Sequence, residues 1–153
     1  MNIFAFDEDP RESARTFVAL DKIRARKQIV EIFQMMACLY HGDTPKKDGT
    51  PYKKNKAMRN HPATQWIEEW IIHADWCLEY AFWLMELLTK GGAKNHGCWE
   101  AYKLLYSKFA LYQAPTERPD FRWLTKKCEQ LDDNIFVAHE LYIKAKLNGF
   151  YGN

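Results

Sequence analysis

Residues 20–34 restrict the fold more than any other stretch of the chain. At about 100° per residue their side chains sort into two arcs. Ile23, Ala25, Ile29, Val30, Ile32 and Phe33, continued by Met36 and Ala37, fill one side. Asp21, Arg24, Lys27, Gln28, Glu31 and Gln34 fill the other, and Arg26 is the one charge on the apolar side. A stripe of this kind predicts a helix packed on other helices. Its polar face has two readings. One is a solvated surface laced with spaced charges. The other is an anion-binding face that carries a catalytic acid, Glu31.

The rest of the chain repeats the helical theme. Asp9 suits an N-cap, Pro10 the first helical position, and Glu12 the third residue of a capping box. A first helix is therefore expected over 10–40, with a bend near Asp21. Residues 41–60 hold Pro45, Gly49 and Pro51, which break helices. They also hold six cations against Asp43 and Asp48, making this the most basic segment. It reads either as an ordinary linker or as a strand-gripping loop, with Tyr52 able to stack on a base. A second helix is expected over 62–90, with Pro62 at its first position and Gly91-Gly92 at its end. The start of this helix offers free N–H groups to a phosphate, with His61 as an added donor or as a plain cap. A third helix over 98–112 and a last helical region over 119–147, broken near 131–133, complete the chain. No strand-like alternation or internal repeat occurs. The expected architecture is all-α: a single compact domain, residues 1–153, of about four helices with a long basic loop between helices 1 and 2.

Composition narrows the function classes. At 153 residues, 47% hydrophobic and 15% aromatic, the chain can bury a real core. A net charge of +2 permits a nucleic-acid partner without demanding one. Cys38, Cys77, Cys98 and Cys128 are spread widely with no C-x-x-C pair, which reads as reduced thiols of a cytoplasmic protein. No signal peptide is expected. The most apolar stretch, 66–88, is interrupted by Glu68, Glu69, His73, Asp75, Glu79 and Glu86, so no membrane span is expected. His73 and Cys77, four apart, can share a zinc. No second ligand pair lies at a telling distance, so a core histidine and cysteine is the better reading. No metal or cofactor is expected.

The order Leu20, Asp21, Arg24, Lys27, Gln28, Glu31, Gln34, with Lys22 as an early basic partner, resembles bacterial and phage members of the pyrimidine-dimer DNA glycosylase family. A second block, Asn60-His61-Pro62-Ala63 with Trp66, and the opening Met1-Asn2-Ile3-Phe4 share that resemblance. It covers roughly the first half of the chain. The resemblance implies a DNA glycosylase with an associated AP-lyase step on damaged or modified pyrimidines. Its nucleophile would be the N-terminal α-amine and its proton carrier Glu31. An α-amine titrates near 7.7–8.0, so part of it is neutral at physiological pH and can attack a sugar C1′ to form an imine. Better-known members expose a small residue after methionine removal. Asn2 is bulky, so Met1 is expected to remain and to supply the amine. Lys22, Arg24, Lys27, Gln28, Gln34, Lys53, Lys54, Arg59, Asn60 and His61 are the candidate DNA contacts. The alternative is a non-catalytic phage accessory protein that binds nucleic acid or a host enzyme.

Overall fold

Helix α5 (Ile71–Leu88) is apolar on nearly every side. Ala74, Trp76, Cys77, Leu78, Tyr80, Ala81, Leu84 and Met85 are all buried along it. A helix whose polar edge is this narrow, Asp75, Glu79 and Glu86, lies at the centre of the structure. In the computed structural model, which describes residues 2–52, 55–112 and 118–149, α1 (Pro10–Leu20), α2 (Lys22–Leu39), α4 (Pro62–Glu69) and α6 (Trp99–Phe109) pack around α5. The short α7 (Lys126–Glu129) packs on α8 (Ile135–Leu147), and α8 touches α1. The architecture is all-α. Among the described residues there is no strand beyond an isolated bridge between Pro45 and Pro51. No described helix is long and apolar enough to cross a membrane.

Among the described residues the expected four helices are eight α-helices, because several long periodic stretches break. Asp21 adopts an extended conformation (φ −160°, ψ 92°) and separates α1 from α2. Its N–H still closes α1 on the Phe17 carbonyl at 2.8 Å. Its carboxylate then starts α2 by accepting from the Arg24 N–H at 3.1 Å. Trp70 is likewise extended (φ −143°, ψ 143°) and splits the second helix into α4 and α5. The last region starts as extended chain. Residues 118–124 are held to α4 and α5 by bonds from Trp66 Nε1 to the Asp120 carbonyl (2.7 Å) and from the Asp120 N–H to His73 Nε2 (3.0 Å).

The basic segment is also more ordered than a long loop. It contains a 3₁₀ turn, His41–Asp43, and the short helix α3 (Lys56–Arg59). Asp48 accepts from both the N–H and hydroxyl of Thr50, which tightens the turn between them. Lys108 on α6 reaches Asp43 at 2.9 Å. The Tyr52 hydroxyl lies 3.2 Å from Cys98 Sγ, and the ring is half-buried. Tyr52 therefore fastens this segment to the body.

At the other end, residues 2–6 form an extended, largely buried segment with no strand beside it. Its backbone groups must find partners, and side chains supply them. Gln28 accepts from the Phe4 N–H at 2.9 Å through Oε1 and donates to the Asn2 carbonyl at 3.0 Å through Nε2. The Tyr80 hydroxyl donates to the Phe4 carbonyl at 2.5 Å. His139 Nδ1 faces both the N–H and the carbonyl of Ala5, and Ser13 Oγ accepts from the Phe6 N–H at 2.9 Å. Gln28, expected on the solvated face, is thus only 1% exposed. Ile23 and Val30, expected in the core, are 67% and 40% exposed.

Gln28→Leu strands one buried N–H and one buried carbonyl. Urea unfolding should show a loss of about 2–4 kcal/mol, and a loss below about 0.5 kcal/mol would refute the clamp. Burial lowers the His139 imidazole from its usual range to about 4, against the opposing bond to Ala5. The unfolded chain therefore binds this proton first as pH falls. Stability is full above about 6.5 and drains away towards pH 4. NMR of the His139 ring should show it neutral at pH 5.5.

Candidate functional site

Helix α2 carries Arg24, Lys27, Gln28 and Glu31 at i, i+3, i+4 and i+7, which is one face of one helix. The N-terminal segment, with Asn2 and Phe4, forms a wall beside that face. A second wall comes from the far end of the chain, with Thr125 and Lys127 at α7, and Tyr142, Ile143 and Lys146 on α8. Together they enclose a cavity of about 260 Å³. A shallower groove of about 390 Å³ adjoins it, lined by Arg26, Lys27, Val30, Glu31 and Gln34. Lys27 and Glu31 belong to both.

The cavity is cationic. Arg24 is held by Asp21, with Nη1 2.5 Å from Oδ2, and the Asp21 carboxylate is almost wholly buried. One residue therefore caps α2 and aims its guanidinium. Lys27, Lys127 and Lys146 form no ion pair among the described residues. Lys146 Nζ lies 5.6 Å above the Tyr142 ring, a cation–π contact. Tyr142 in turn stacks on Phe4 with centroids 5.6 Å apart and planes 17° apart.

Glu31 is the one carboxylate in this lining. Burial raises its pKa above the ordinary carboxylate value, while the positive chain terminus and Lys27 pull the other way. Desolvation outweighs the neighbouring positive charges. Such a group holds its proton to higher pH than a surface glutamate. It can give and take a proton nearer neutrality.

The remaining candidates are scattered. Gln34 lines the open groove, and Lys22 is exposed in the first turn of α2. Arg59 pairs with Glu68. Asn60 ends α3 as its C-cap. The His61 imidazole caps α4 through Nδ1, which accepts from the Ala63 N–H at 3.0 Å. None of Arg59, Asn60 and His61 lines the cavity. Met1, Lys53 and Lys54 lie outside the described residues, as do 150–153 at the aromatic tail. Both nitrogens of His73 are engaged by backbone: Nε2 accepts from Asp120, so Nδ1 donates to the Trp66 carbonyl at 2.7 Å. Cys77 is fully buried and its thiol is pushed up by desolvation. Neither is offered to a metal. No group of three or more His, Cys, Asp or Glu among the described residues is placed to hold one. All four cysteines are free thiols.

Sequence reasoning missed the second wall altogether. Its one local signal was the i, i+4 pair of Tyr142 and Lys146 near the end of α8. It also passed over Asn2, which is 2% exposed and lines the cavity. Comparison with known protein families, characterised proteins and solved structures finds no match.

The raised Glu31 pKa has a sign that melting can check. A carboxyl that ionises less readily folded than unfolded costs stability above its unfolded pKa and nothing well below it. Glu31→Gln should therefore melt higher than the wild type at pH 7. The gain should vanish as pH falls below about 4. A lower melting temperature at pH 7 would contradict the assignment.

Proposed function

We propose that this chain is a DNA glycosylase with AP-lyase activity on a damaged or modified pyrimidine, acting in the cytoplasm of a bacterial or phage-infected cell. The N-terminal amine is the nucleophile and Glu31 moves the protons. One observation carries the reading: Glu31, its pKa raised, shares a cationic cavity with Asn2. One peptide bond joins Asn2 to Met1, a reach of about 3.8 Å between Cα atoms.

The chemistry suits those groups. The neutral amine attacks C1′ of an extruded nucleotide. The glycosidic C–N bond breaks, its electrons leave with the base, and a proton passes to the base. Loss of the amine proton and opening of the sugar ring give an imine. Glu31, as the carboxyl, supplies the proton to the ring oxygen. As the carboxylate it then removes the proton at C2′, and the C3′–O bond breaks with the phosphate as leaving group. Lys27, Lys127 and Lys146 neutralise the phosphates that flank the reacting sugar. Neighbouring cations also favour the neutral form of an amine. No metal takes part in these steps.

Borohydride trapping on abasic DNA tests the imine directly. The expected product is a covalent protein–DNA adduct that disappears when the N-terminal amine is acetylated. Its absence with the unmodified chain, or its persistence after acetylation, would refute the reading. Glu31→Gln should slow strand cleavage by about 10²- to 10⁴-fold and leave DNA affinity at fixed salt unchanged. The wild-type rate should fall as the medium is acidified, through both the amine and the raised Glu31 pKa, and the variant should keep only the fall that protonation of the amine causes. Full activity in Glu31→Gln would instead favour a binding protein without catalysis. Lys127→Ala should weaken DNA binding and lower the salt slope by about one.

A further inference from the structure

Two of the residues that line the cavity carry side-chain amides, and these are used differently. Gln28 spends both ends of its amide on the backbone of residues 2–4. Asn2 spends neither. Its Oδ1 and Nδ2 are both buried and neither has a hydrogen-bond partner among the described residues. Buried polar groups are nearly always paired, so an orphaned donor and acceptor on one carboxamide needs an explanation. Nothing among the described residues calls for the polarity of this side chain. It is the Asn2 carbonyl of the backbone, not the carboxamide, that Gln28 holds.

We infer that the Asn2 carboxamide is the specificity residue of this cavity, reading the donor–acceptor edge of a single pyrimidine nucleotide. The inference rests on the proposed glycosylase function and names what the site recognises. A carboxamide offers one acceptor and two donors in a plane. The edge of a pyrimidine presents an adjacent donor and acceptor that match it. Phe4, half-buried and itself stacked on the buried Tyr142, gives the cavity an aromatic edge for a base to pack against. Lys127 and Lys146, on the opposite side of the chain from Asn2 in sequence, meet the phosphate. The volume, about 260 Å³, lies just under the usual range of about 300–1,000 Å³ for small-molecule sites. It suits one nucleotide and is too small for two linked ones.

The probes are deoxythymidine 5′-monophosphate and 2-deoxyribose 5-phosphate, added to the isotopically labelled full chain. The side-chain NH₂ signals of Asn2 should shift saturably with the nucleotide. The sugar phosphate, which lacks a base, should leave them in place. Asn2→Leu is close to isosteric, and leucine is bulky enough to keep the initiator methionine. The variant should bind the nucleotide at least about tenfold more weakly and the sugar phosphate equally well. Because it removes two unpaired polar atoms, it should melt no lower than the wild type. Asn2→Asp, which keeps the shape and loses the donors, should also bind the nucleotide more weakly. Asn2 signals unmoved at saturating nucleotide, no nucleotide binding at millimolar concentration, or equal affinities in wild type and Asn2→Leu would each overturn the inference. Nucleotide binding through Asn2 with no borohydride adduct on DNA would leave it standing and remove the glycosylase reading alone.

Discussion

The structure depends on how an extended segment without a sheet is kept inside a helical protein. Residues 2–6 bring backbone N–H and carbonyl groups into the core, where an unpaired group is costly. Four helices answer with one side chain each: Ser13 from α1, Gln28 from α2, Tyr80 from α5 and His139 from α8. Each bond ties a different helix to the same few residues. Helices far apart in sequence are therefore brought into register around the start of the chain. The same arrangement sets Asn2 in the wall of a cavity, where Gln28 holds its backbone carbonyl.

A second economy lies at Asp21. Its extended backbone ends one helix and its carboxylate begins the next, while the other carboxylate oxygen grips the Arg24 guanidinium. The break in the helix and the orientation of a cavity cation have one cause. Because Arg24 is already paired, the charge left for a ligand comes from three lysines, two of them from the far end of the chain. Glu31 sits among these cations and still resists ionisation, because partial burial removes more hydration than nearby charge restores. A carboxyl of that kind, in a cavity lined by cations, is the group on which the proposed proton transfers depend.

Several features were legible because they depend on nearest neighbours along the chain. The Asp9 cap and Pro10 start of α1, the Pro62 start of α4 and the Gly91-Gly92 stop after α5 all follow from local backbone chemistry. The face bearing Arg24, Lys27 and Glu31 follows from helical spacing alone. Trp70 was not legible as a break, since tryptophan carries no capping group and continued the apolar period. The capping box at Glu12 does not close either: Asp7 takes the Asp9 N–H, and Glu12 pairs with Arg15. Gln28, Ile23 and Val30 were placed on the wrong sides because helical spacing reports a stripe, not what lies against it.

The sequence by itself determined an all-helical chain and one helix face with a carboxylate among cations, because both follow from a 3.6-residue period and short-range capping. Tertiary structure alone decided that the chain's opening residues, α7 and the end of α8 meet over that face. Those contacts join the first and last parts of the chain to a helix between them, and no local pattern encodes them. It also decided which polar side chains are consumed in holding the fold, as Gln28 is, and which are left unpaired in the cavity, as Asn2 is. That distinction depends on the partners each amide meets in space, and two amides of one cavity lining look alike until those partners are known.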